Sequence, residues 1–121
     1  MGQALQFRVA MDQPIGARTV AEYDMQKKLI IEEFMEFNEA YDEMVKFKDP
    51  QSRAHALKEM ADLCYVLFQF AACAGMELDV ALDRVHQSNM SKLVDGKPVK
   101  NDIGKVVKGP NYKKPYLEDL V

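Results

Sequence analysis

Cysteine is scarce in this 121-residue chain, with only Cys64 and Cys73. They stand inside one apolar segment without metal-ligand spacing, and no secretion signal precedes them. That excludes a disulfide framework and a thiolate metal knot, and both are expected as buried, reduced thiols of a cytosolic protein. Membrane-length apolar runs are also lacking. The stretch from Leu63 to Met76 is too short to span a bilayer, and Gln69 interrupts it. The N-terminus has no apolar signal-peptide core. The expectation is a soluble, cytoplasmic protein with no membrane partner. The Gly-x-x-x-x-Gly-Lys-Ser/Thr pattern of a P-loop is absent. No Glu-x-x-His pair exists, which argues against a di-iron carboxylate bundle. The formal net charge of -3 gives no reason to expect nucleic acid as a bulk partner.

What is present is a globular composition, 48% apolar, of a length that suits one domain spanning residues 1–121. Gln3 to Met11 reads as a short helix closed by the Gln13-Pro14-Ile15-Gly16 turn. Thr19 is a candidate N-cap, with Glu22 completing a capping box. A long helix then runs to about Phe47, and Asp49-Pro50 breaks it. A second helix runs from about Ser52 to Ala74 and stops at Gly75. A third starts at Asp79 or a neighbour and ends near Leu93. From Asp95 to Val121 the chain holds three glycines and three prolines, and reads as an extended or hairpin-like tail.

The first long helix carries a stripe of Ile30, Phe34, Phe37, Tyr41 and Met44, while Ile31 and Met35 lie on a different side. The second is apolar almost all round, with Leu57, Met60, Leu63, Cys64, Val66, Leu67, Phe68 and Phe70. A helix of that kind belongs at the centre of a bundle, and few helices are available to surround it. The fold expected is therefore all-α: a bundle of about four helices, completed by homo-oligomerisation, with an extended C-terminal tail.

Two carboxylate pairs interrupt these apolar patterns. Glu33 and Glu36 stand roughly 60° apart on one side of the first long helix and border its stripe, while Glu32 points more nearly away. Glu59 and Asp62 are likewise about 60° apart on the second. Antiparallel packing would make the pairs converge, and four carboxylates at one spot need cations. Oxygen-only donors favour magnesium, with manganese able to substitute, over zinc. Such an ion polarises a phosphoryl group and activates a water. The plainer alternative for the first cluster, Glu32, Glu33, Glu36 and Glu39, is a solvated acidic face with lysine partners. Glu59 and Asp62 weigh against it, because their helix has little polar surface to spare.

The basic residues concentrate after Lys92. Asn89 and Lys92, three apart at the end of the third helix, share a face and could hold a phosphate. A lysine favoured at a helix C-terminus explains the same pattern. Lys97, Lys100, Lys105 and Lys108, with Gly104 and Gly109 among them, could wrap a triphosphate or form a solvated tail. Phe7, Tyr23 and Tyr112 are candidate base-stacking rings or core residues.

The spacing Glu-Glu-x-x-Glu followed by Glu-x-x-Asp on the next helix resembles the all-α nucleotide pyrophosphohydrolases, the MazG and phosphoribosyl-ATP pyrophosphohydrolase superfamily. Ser-Asn-Met-Ser-Lys resembles that family's Asn-x-x-Lys element. The Asp-Gly-Lys-Pro … Gly-Lys-Val-Val-Lys-Gly-Pro-Asn-Tyr-Lys-Lys-Pro run is similar to a small, often phage-encoded MazG-like branch, whose members would work in the host cytoplasm. The resemblance implies magnesium-dependent hydrolysis between the α- and β-phosphates of a nucleoside triphosphate, giving monophosphate and pyrophosphate. Carried over by position, Glu33, Glu36, Glu59 and Asp62 would ligate magnesium. Glu32, or one of those four, would orient or deprotonate the attacking water, with Glu33 and Glu36 as the other catalytic candidates. Asn89 and Lys92 would contact phosphate or sugar, with Lys105, Lys108 and Tyr112 behind them. The branch leans towards a purine nucleotide, and the all-round apolar second helix towards a homodimer or homotetramer. Phosphoribosyl-ATP itself is the enzymatic alternative, although the histidine-pathway enzymes usually lack the Gly-Lys tail. A non-catalytic nucleotide-binding helical dimer is the alternative of another class.

Overall fold

The computed structural model describes all residues from Met1 to Val121 and is all-helical, without strands. The α-helices are α1 (Gly2–Ala10), α2 (Val20–Phe47), α3 (Pro50–Ala74) and α4 (Leu78–Met90), and a short 3-10 turn covers Glu118–Leu120. The chain forms two compact units, Met1–Met76 and Glu77–Val121. No single helix is long and apolar enough to cross a membrane.

In the first unit, polar side chains fix the helix boundaries. Thr19 Oγ1 accepts from the Glu22 backbone N–H at 3.4 Å, the N-cap expected there, and donates to Glu22 Oε2 at 2.8 Å, so the carboxylate meets the hydroxyl where a full capping box would have it meet the Thr19 N–H. α2 ends at Phe47 because Lys48 turns left-handed (φ 56°). Asp49 then caps α3, accepting from the Ser52 N–H at 2.7 Å. Pro50 takes the first helical position, where a missing N–H costs nothing. The helix thus begins two residues before the expected Ser52. Gly75 (φ 73°) closes it, lying so close to Gly16 that a Cβ on Gly75 would stand 3.3 Å from the Gly16 Cα. The Gly16 N–H donates to the Ala72 carbonyl at 3.1 Å, satisfying a helix-end acceptor.

α2 and α3 form a helical hairpin along a seam of buried and half-buried side chains. On α2 these are Gln26, Ile30, Glu33, Phe37, Ala40 and Met44; on α3 they are Ser52, Ala56, Glu59, Leu63, Val66, Phe70 and Cys73. Both sets alternate steps of four and three residues, the spacing of a coiled-coil seam. This corrects the stripe expected on α2. Phe34 is 52% exposed and Tyr41 48% exposed, while Glu33 and Ala40 take the inward positions. Ala40 and Ala56 are both shut off from solvent. Cys64 is a second correction: it is exposed, because the seam passes through its neighbour Leu63, whereas Cys73 is buried. Burial pushes the Cys73 thiol pKa up.

α1 lies on α3, with the Phe7 and Tyr65 rings edge to face at 5.6 Å. Arg8 is fully buried. Its Nε donates to the Pro14 carbonyl (2.7 Å) and its Nη1 to Gln69 Oε1 (3.2 Å). Tyr23 packs near Phe70, and its hydroxyl donates to the Ala17 carbonyl at 2.7 Å. Phe7 and Tyr23 are therefore packing residues.

In the second unit α4 ends at Met90, earlier than the expected Leu93, and hydrogen-bonded turns carry the chain onward. Asp95 and Gly96, both with positive φ, make the two-residue turn of the Val94–Lys97 bridge. Lys100 and Val106 form a second antiparallel bridge. The end of the chain is tied back to α4. Ser88 Oγ donates to the Lys113 carbonyl at 2.7 Å, and Arg84 grips Asp119 through two bonds of 2.6 and 2.9 Å.

Candidate metal centre

The α2/α3 seam carries two carboxylates where apolar side chains would ordinarily sit. Glu33 on α2 and Glu59 on α3 meet there, and Asp62 joins them from the next turn of α3. One ligand oxygen of each lies within 4.8 Å of the others. Glu59 is only 5% exposed, and Glu33 and Asp62 are half-buried. Glu33 Oε2 and Glu59 Oε2 are buried without any hydrogen-bond partner. A buried carboxylate oxygen left without a partner is costly.

The electrostatics follow from this crowding. Burial raises the Glu33 pKa above its usual 4.5, and a side-chain hydrogen bond with Glu36 and repulsion from Glu36, Asp62 and Glu59 push it the same way. Cations reach the group only at its edge. Lys58 Nζ stands 2.7 Å from Asp62 Oδ2 and 3.5 Å from Glu59 Oε1. The hydrogen bond to Asp62 is the main reason the Lys58 pKa is raised. His55 Nε2 lies 3.2 Å from Glu59 Oε1, and its Nδ1 lies 3.3 Å from Glu43 Oε2 on α2.

Three of the four expected ligands thus come together. Glu36 is exposed and outside that group, though it neighbours Glu33. Glu32 is exposed on α2 and also stands outside it. His55 and Lys58 were not anticipated. Their signal was present in the sequence, since His55–Glu59 and Lys58–Asp62 are both four-residue spacings on one helix.

The donor set fits a hard divalent cation. Its atoms are all carboxylate oxygens, and two are buried and unpartnered. Oxygens opposite one another around magnesium stand about 4.2 Å apart, so small side-chain rotations would close the set on an ion.

The remaining candidates belong to the second unit. Asn89 lies on the last turn of α4 and is exposed, and Lys92 sits beyond the helix end, its N–H donating to the Asn89 carbonyl at 3.2 Å. A turn, not the expected shared helix face, therefore joins the two. Lys105 and Lys108 are exposed. Lys108 Nζ sits 4.7 Å over the Tyr112 ring, covering one of its faces.

Residues 5–89 match the family described as phosphoribosyl-ATP pyrophosphohydrolase. The match takes in Glu32, Glu33, Glu36, Glu59 and Asp62 and reaches Asn89, while Lys92, Lys105, Lys108 and Tyr112 lie beyond it. No curated protein matches the chain.

Proposed function

The chain belongs to the phosphoribosyl-ATP pyrophosphohydrolase family, and we propose that within it this protein is a magnesium-dependent nucleoside triphosphate pyrophosphohydrolase. The reaction is hydrolysis between the α- and β-phosphates, giving a nucleoside monophosphate and pyrophosphate. The observation that carries the reading is the Glu33–Glu59–Asp62 group, with two buried carboxylate oxygens unpartnered.

Glu33, Glu59 and Asp62 would hold the ion, with manganese able to replace magnesium. Bound there, magnesium would supply Lewis-acid stabilisation of the phosphate charge. Glu36 neighbours Glu33 and stands outside the ligand group. It would take the proton of the attacking water as general base. Glu32, more remote, would act through solvent. Asn89, Lys92, Lys105 and Lys108 would offset the phosphate charge, and Tyr112 would stack on a base once Lys108 leaves its ring. Exposed apolar side chains on α2 and α3, among them Phe34, Met35, Leu57 and Met60, favour a homodimer or homotetramer in the cytoplasm.

Pyrophosphate release across the common ribo- and deoxyribonucleoside triphosphates, with magnesium and with chelator, tests the reading and resolves the lean towards purines. Monophosphate formation that stops with chelator is the expected result. Asp62→Asn should abolish it while helicity is retained. Release from phosphoribosyl-ATP alone would favour the alternative that the matched family's description supports. Magnesium-independent nucleotide binding without release, unaffected by Glu33→Gln, would indicate a binding protein.

A further inference from the structure

We propose that Lys58 is a tethered counter-cation: in the metal-free protein its ammonium occupies the rim of the carboxylate group, and a divalent ion enters by displacing it. The inference rests on the metal-site reading above. Lys58 touches two of the three candidate ligands, Asp62 at 2.7 Å and Glu59 at 3.5 Å. The helix delivers it there, because Lys58 precedes Glu59 directly and lies one turn before Asp62. Its side chain is 65% exposed, so the head group can swing into water without disturbing the seam.

The ammonium serves only part of the group. Glu59 Oε1 has both Lys58 and His55 as neighbours, yet Glu59 Oε2 and Glu33 Oε2 have none. One outer positive charge is thus satisfied from within the chain, while the inner oxygens still lack a cation. A compact, strongly hydrated ammonium on a flexible stem suits an occupant that must leave. Metal uptake at this site is then an exchange of cations. The ammonium lowers repulsion in the empty site and weakens the apparent affinity for the ion that replaces it.

Manganese serves as the probe, with free Mn²⁺ read by electron paramagnetic resonance and Tm read in parallel. In Lys58→Gln the Kd for Mn²⁺ should fall by about tenfold, the scale of one lost competing charge pair together with its repulsion of the ion. Lys58→Arg, which keeps the charge, should stay near the wild-type value. Lys58→Gln should also lower Tm in chelator, and the deficit should close as Mn²⁺ is added; a merely structural lysine would lower Tm equally in both conditions. An unchanged or higher Kd in Lys58→Gln, in a protein whose Mn²⁺ binding is abolished by Glu59→Gln, overturns the role of Lys58 and leaves the metal site standing. Absence of Mn²⁺ binding in both wild type and Lys58→Gln overturns the metal-site reading along with it.

Discussion

Glu33→Gln should change the sign of its effect on stability when metal is added. At about 4.8 Å and an effective dielectric of about 20, one carboxylate pair repels by about 3 kcal/mol. Glu33 is half-buried and its neighbours are partly neutralised by Lys58, so water and counter-charge reduce the net penalty to about 1 kcal/mol. Removing the charge should therefore raise Tm in chelator by about 3–5 °C for a domain of this size. With metal the balance reverses. A ligand at ten times its Kd stabilises the native state by about 1.4 kcal/mol, and the variant forfeits that. The pH dependence has a definite direction. The folded pKa of Glu33 is raised above 4.5, so the folded state binds its proton more tightly than the unfolded chain does. The penalty is absent below about pH 4.5 and sets in as pH rises through the folded value. The gap between wild type and variant in chelator should thus close on acidification. Circular-dichroism melts in chelator and in magnesium, at pH 4 and pH 8, measure all four corners. A Tm in chelator at pH 8 that falls on Glu33→Gln would refute the reasoning, because the carboxylates would then not be repelling one another.

Ala40→Leu should overpack the seam at a position shut off from solvent, costing about 1–3 kcal/mol in urea unfolding; no loss would mean the helices are looser there. Gly75→Ala combines a left-handed backbone with a Cβ 3.3 Å from Gly16, and should cost about 1–2 kcal/mol by the same measurement. Arg84→Ala should free the chain end that Arg84 holds through Asp119 and the Tyr116 carbonyl, so limited proteolysis after Lys113 should accelerate. The Arg84 hydrogen bond also holds the Asp119 pKa below its usual 3.8. That contact should persist above that pH in wild type and loosen only as pH falls below it, and early proteolysis at neutral pH in wild type would count against it.

The parts of this fold written in local chemistry were legible in the sequence. Thr19 with Glu22, Asp49 before Pro50, and Gly75 each act within one turn of the backbone, and each falls where its chemistry requires. The register of the seam was harder. Ranking by apolarity selects Phe34 and Tyr41, but close helix contact selects the small Ala40, and the carboxylate group selects Glu33. The exposed side of Cys64 was not legible for the same reason: a helix apolar all round does not announce which side faces its partner. Pairing Glu33 with Glu59 and Asp62 followed from antiparallel packing of two helices joined at a tight break. Lys58 and His55 are legible only through their four-residue spacing from Asp62 and Glu59, a pattern that solvated helix faces also carry. The segment beyond Met90 offers no periodicity, so its ties to Arg84, Ser88 and Ser91 rest on contacts between residues more than twenty positions apart.

The polar layer in the hairpin has a consequence for how the two helices find their alignment. Glu33 and Glu59 interrupt seams that are otherwise apolar or small over neighbouring turns. A slide of one heptad would keep most of the packing but bring Glu33 beside apolar side chains such as Val66, burying a lone charge with no cation in reach. Only the native alignment gathers the carboxylates around a common counter-charge. The layer therefore acts as a registration mark, like a single polar position in a coiled coil. An all-leucine version of these two positions would pack more oil and lose the mark that tells α2 and α3 where to stop sliding.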